Sequence, residues 1–216
     1  MRIFLLLLVL CCSVPAAAQF GVSAFYNVNN LDVPQNDAWP EGRYADLDNG
    51  PELQLNYWFR LPNQRIEFQP TLFFSRAGLR ESNQSTTYSS IGLQMEVNVY
   101  PFDFGGDCDC PTFGKQGPAL QKGFFIQGSA GFAIDVLGSS LFDNAGGGLV
   151  YGGGAGLDIG ISDLITLTPT ATIRRSDPYR NIALVDQNGE DAGTPNKLLT
   201  YQLGLQATFR FDHKRY

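Results

Sequence analysis

Residues 198 to 211 read LLTYQLGLQATFRF, and their side chains sort by every second position. Leu199, Tyr201, Leu203, Leu205, Ala207, Phe209 and Phe211 fall on one face of an extended chain, and Thr200, Gln202, Gly204, Gln206, Thr208 and Arg210 fall on the other. A period of two marks a β-strand and not an amphipathic helix, whose period is 3.6. A strand this long with one apolar face must set that face against a core or against hydrocarbon. Its length favours a tilted bilayer crossing over a short sandwich strand.

Seven upstream segments repeat the pattern: Phe20 to Val28, Glu52 to Leu61, Arg65 to Ser75, Tyr88 to Tyr100, Gly123 to Val136, Gly148 to Ile161 and Leu164 to Arg174. Across all eight, the apolar faces carry no charged residue. The connections alternate as well. Asn29 to Pro51, Arg76 to Thr87, Leu137 to Gly147 and Arg175 to Lys197 are long and polar, whereas Pro62-Asn63-Gln64 and Ser162-Asp163 are short turns. Long loops on one rim and short turns on the other predict an all-β fold, an eight-stranded antiparallel up-and-down transmembrane β-barrel with both termini periplasmic. Pro101 to Lys122 is the exception, a longer periplasmic connection.

Residues 1–18, MRIFLLLLVLCCSVPAAA, join a basic Arg2 to an apolar run and a small-residue cleavage site, which is the pattern of an export signal with Gln19 as first mature residue. The remainder, 19–216, suits one domain, and 24 glycines with no apolar run of helix-spanning length suit an all-β chain. The formal charge of −6 leaves no electrostatic case for nucleic acid.

The same alternation, turned inside out, would make a soluble lipocalin-like cup, so the contents of the polar phase decide. That phase holds Glu52, Arg60, Glu67, Glu96, Asp135, Asp158, Arg174 and Arg210 among threonines and glutamines, with few lysines. Mixed charge without lysine fits a packed polar lumen better than a water-facing strand surface. Arg60 and Glu67 flank the second hairpin turn and are expected to face each other. Glu96, Asp158 and Arg210 are expected in the same periplasmic half, and Glu52, Asp135 and Arg174 near the outer end. Eight strands leave an interior just wide enough for side chains, so the lumen is expected to be plugged. Pro70 and Pro169, mid-strand, each remove a ladder donor and predict a bulge or a widened ladder. Gly152, Gly153, Gly154 and Gly156 weaken their strand unless large neighbours such as Phe125 or Arg174 need the space.

Catalysis finds little support. His213, the only histidine, follows the last strand, and Glu67 with Glu96 reads more simply as part of a buried ion network with Arg60 and Arg210 than as an acid/base pair. Cys108 and Cys110 supply half a tetrahedral metal site at most and read as a local disulfide or simple thiols. No cofactor motif is present, and the acidic loops match no EF-hand spacing, although such loops could recruit divalent cations bridging lipopolysaccharide.

RIEFQPTLFFSRAG (residues 65–78), the Val99-Tyr100-Pro101-Phe102 strand end and FFIQGSAGF (residues 124–132) resemble phrases of the outer-membrane β-barrel domain family, OmpA-like or OmpX-like and common in Bacteroidetes-type bacteria. Gln202, Gly204, Ala207 and Phe209 look like the carboxy-terminal signal read by the barrel-assembly machinery. The resemblance implies outer-membrane residence among lipid and lipopolysaccharide, but no single activity. The expected role is therefore structural, or binding and adhesion through surface loops. Passage of a small solute or ion, and a soluble carrier, are the alternatives.

Overall fold

The computed structural model describes residues 19–32, 45–60, 64–81, 84–103, 119–137, 145–162, 164–180 and 197–210. They form one antiparallel sheet that closes on itself. The barrel strands are β1 (Gln19–Asp32), β2 (Ala45–Leu47, Gly50–Tyr57 and Phe59–Arg60), β3 (Ile66–Glu81), β4 (Gln84–Val99), β5 (Phe124–Leu137), β6 (Ala145–Leu157 and Ile159–Gly160), β7 (Ile165–Arg180) and β8 (Lys197–Arg210). Each pairs with its neighbour in sequence, and β8 pairs with β1 from Gln19↔Arg210 to Asp32↔Lys197. This is an eight-stranded up-and-down barrel.

The pairings fix its shear. Starting at Gly21 and stepping across the sheet, the partners are Asn56, Thr71, Gln94, Gly131, Val150, Ser176 and Leu198, and the next step lands on Leu31 of β1. One circuit climbs from residue 21 to residue 31, a shear of ten for eight strands. Strands must then tilt by roughly 35–45° for the circuit to close.

Alternation sorts the two faces. Ser23, Asn27, Gln54, Asn56, Thr71, Gln94, Asn98, Thr166, Thr168, Thr170 and Gln206 are among the polar side chains buried inside, and Val22, Leu53, Leu72, Leu93, Ile126, Phe132, Leu149 and Leu203 are among the apolar ones exposed outside. That partition is the reverse of a lipocalin-like cup, and it removes the soluble-carrier reading.

Several boundaries differ from the sequence reading. Arg76 to Thr87 is not a polar loop: β3 and β4 run on through Leu79↔Thr86 to Glu81↔Gln84, because alternation persists and Leu79 finds an inward apolar partner in Leu47. β7 likewise continues to Arg180, with a register shift between Pro178 and Arg180. In the long connection between β4 and β5, Ala119–Gly123 forms a short helix, α1, which alternation could not reveal.

The prolines do not produce bulges. β2 breaks at Trp58 and β6 at Asp158, yet Glu52↔Ser75 and Phe59↔Phe68 on one side, and Thr170↔Gly156 and Thr166↔Gly160 on the other, keep a single register across each break. Pro70 lies opposite the first break and Pro169 opposite the second. On their other sides the ladders run uninterrupted through Pro70↔Met95 and Pro169↔Leu205. Each missing N–H therefore opens a gap toward the preceding strand and shifts nothing. The residues at the gaps keep their outer partners: Trp58 N–H donates to Gln19 C=O at 3.0 Å and Asp158 N–H to Gly123 C=O at 2.9 Å.

Candidate functional site: the lumen and the outer belt

The shear decides which lumen side chains meet. Climbing ten residues per circuit brings Glu52 of β2 and Arg174 of β7 to one height, facing each other across the interior. Arg174 Nη1 donates to Glu52 Oε1 at 2.9 Å and Nη2 to Oε2 at 2.5 Å, a two-pronged pair with Glu52 1% and Arg174 6% exposed. Asn27 Nδ2 donates to Oε2 at 2.9 Å and Gln54 Nε2 to Oε1 at 2.8 Å, so both carboxylate oxygens are doubly held. Gln202 Nε2 donates to Asn27 Oδ1 at 3.0 Å, and Thr172 Oγ1 donates to Gln202 Oε1 at 3.0 Å, which extends the network into β8 and β7. The guanidinium also lies 4.3 Å from the centre of the Phe73 ring, a contact that an arginine can make beside its ion pair. Asp135 sits above with Ser90 and Tyr88.

A second layer occupies the end of the barrel with the short turns. The Tyr100 hydroxyl lies 2.8 Å from Glu67 Oε2 and 2.7 Å from Asp158 Oδ2. Trp58 Nε1 donates to Glu67 Oε2, and Thr168 Oγ1 donates to Asp158 Oδ1 at 2.5 Å. Arg65 pairs with Asp103 and places its guanidinium 4.2 Å from the Tyr100 ring centre. Arg60 is opposite Glu67 in the register and Arg210 opposite Gln19; their side chains lie outside the described residues, as do Cys108, Cys110 and residues 1–18.

Glu96 joins neither layer. Its carboxylate accepts from Gln94 Nε2 at 2.6 Å and Gln127 Nε2 at 3.1 Å, between the two charged levels. It shares no hydrogen bond with Glu67 or Asp158 among the described side chains.

Glycines make room for inward aromatics. Phe73 lies opposite Gly92, Phe125 opposite Gly156 and Phe25 opposite Gly204, and a Cβ on any of the three glycines would come 2.3–2.4 Å from the facing ring. Gly152, opposite Arg174, leaves no more space, since a Cβ there would sit 2.3 Å from the Ile173 carbonyl oxygen. Of the four residues of the assembly-signal pattern, Gln202 is buried inside, Gly204 underlies Phe25, and Ala207 and Phe209 belong to the outward row.

At the loop end the lumen turns apolar. Leu47 and Leu79 are buried there against Leu31, Ala77, Tyr88 and Leu198. Below them, a cavity of about 10 Å³ lies between Asn27, Ser90, Arg174 and Thr200, and another of about 10 Å³ lies between Trp58, Glu67, Asn98 and Asp158. Each has room for about one water molecule.

The outside carries the complementary pattern. Phe20 meets Tyr57 at 5.6 Å, Tyr57 meets Phe59 at 6.4 Å and Phe59 meets Phe68 at 5.4 Å, a run of rings around the turn end. Tyr26, Phe74, Tyr151 and Tyr201 stand exposed nearer the loop end. Outward ionic groups of the described strands begin only beyond them, with Arg76, Arg175, Asp177 and Lys197. There Tyr151 donates to Asp177 at 2.8 Å and Arg175 Nε donates to the same carboxylate at 3.1 Å. Sequence reasoning missed Trp58, Arg65, Phe73 and Tyr100 as lumen groups, although each shares the parity of the polar phase.

No protein-family model matches the chain, and no curated protein does. Among solved structures it is similar to Neisserial surface protein A, with 9% identity and a TM-score of 0.49 over 90% of this chain and 97% of that one. It is also similar to Ail, the attachment invasion locus protein of Yersinia pestis (13%, 0.46, 89% and 99%), and to the outer membrane protein OprG of Pseudomonas aeruginosa (13%, 0.45, 89% and 96%). At such identities and TM-scores the likeness carries no functional argument.

Proposed function

We propose that the chain is an integral outer-membrane barrel whose apolar belt sits in lipid and whose lumen is closed, with a structural role or a binding and adhesion role carried by its loops. One observation carries the reading: a barrel that buries its carboxylates, guanidiniums and amides while exposing a charge-free belt of Leu, Ile, Val and Phe is solvated correctly only by hydrocarbon. Rings of aromatics toward both edges of the belt support it. Arg76, Arg175 and Lys197, just past the loop-end edge, suit the phosphates of lipopolysaccharide. The side chains interlocked across the lumen support closure over passage. The test is twofold. The protein should fractionate with the outer membrane as a heat-modifiable band, and pure protein in planar bilayers should stay silent. Recovery as a soluble periplasmic protein would overturn the first part, and steady conductance would replace closure with passage.

A further inference from the structure

Around β5, β6 and β7 the apolar surface continues past the last ladder pairs: Phe102 is 63% exposed, Leu120 on α1 is 69% exposed, and Ile161 and Leu164 stand exposed in the turn between β6 and β7. Gln64, in the turn between β2 and β3, is exposed and polar. Phe102 and Leu120 are as open as Leu203 in the middle of the belt, also 69% exposed, yet they belong to a connection and not to a strand.

We propose that Phe102, α1, Ile161 and Leu164 form an interfacial anchor that lies in the headgroup layer of the phospholipid leaflet at the turn end. The inference rests on the membrane reading above. Continuity with the belt identifies the occupant: the Phe102 ring packs 5.6 Å from that of Phe124, the first residue of the outward row of β5, so connection and belt form one apolar surface. The helix is fixed in place, because Asp158 N–H donates to Gly123 C=O at 2.9 Å and a Cβ on Gly123 would sit 2.3 Å from the Asp158 carbonyl oxygen. Exposed apolar side chains at the end of an apolar belt suit the boundary between headgroups and acyl chains.

Single cysteines at Phe102, Leu120, Leu203 or Gln64, in a Cys108→Ser/Cys110→Ser background, would be labelled with an environment-sensitive fluorophore. The folded protein would then be placed in vesicles of phosphatidylethanolamine and phosphatidylglycerol. Labels at 102 and 120 should be shielded from iodide and quenched best by lipids carrying a nitroxide near the headgroup. The label at 203 should be quenched best by a deep nitroxide, and the label at 64 should stay open to iodide. If 102 and 120 behave like 64 while 203 is lipid-quenched, the anchor is wrong and the membrane reading stands. An iodide-accessible 203 overturns the membrane reading itself. Shielding of 102 and 120 that appears only on adding periplasmic extract assigns the surface to a protein and overturns the anchor.

Discussion

Glu52 and Arg174 are 122 residues apart, and nothing but the shear of the barrel brings them together. Removing one partner strands the other charge in the lumen, so Glu52→Gln and Arg174→Met should each cost about 3–5 kcal/mol in denaturant unfolding from detergent or bilayer. The double variant should cost far less than the sum, and additive losses would mean that the two groups do not act as a pair. A second residue-scale expectation concerns Phe125 and its facing Gly156. Gly156→Val should lose on the order of 1–3 kcal/mol by overpacking, and shrinking the ring with Phe125→Val should restore most of it in the same unfolding assay. Parity made these positions legible: Glu52, Arg174 and Phe125 are each in the polar phase of their strand. The grouping of Glu52 with Arg174 near the outer end was legible as well, but their direct pairing depends on a register that no single strand encodes. Tyr100 between Glu67 and Asp158 was hidden for the same reason, since its strand ends beside it.

At the scale of the element, β2 and β6 each break where a proline faces them, and the ladder resumes in the same register. Restoring the donor with Pro70→Val should close the gap, protect the new amide at position 70 and that of Tyr57 from exchange, and stabilise the barrel by up to about 1 kcal/mol. Fast exchange at both would show that the break comes from the Trp58 side chain reaching Glu67 and not from the proline. Strand identity and order could be read from alternation alone, and strand ends could not. Arg76 to Thr87 looked like a loop because charged and hydroxyl residues dominate it. Leu79 nevertheless kept the inward phase and met Leu47, so both strands run on beyond the outward Arg76. The short helix α1 left no periodic trace in five residues.

For the whole molecule, the lumen and the belt belong to one proposal: ionic and amide groups pair across the inside while the outside faces hydrocarbon. On the membrane reading proposed above, folding should require lipid or detergent. Depth can be probed along β8, because Leu199, Tyr201, Leu203, Leu205 and Phe209 all point outward and span the belt. Arginine at each of these positions in turn, with the folding free energy into phospholipid vesicles as readout, tests the arrangement most directly. A profile that costs about 2–4 kcal/mol at Leu203 and Leu205 and falls to about 0–1 kcal/mol toward Leu199 and Phe209 is the predicted result. A flat profile, or variants that fold equally well in buffer without lipid, would contradict it.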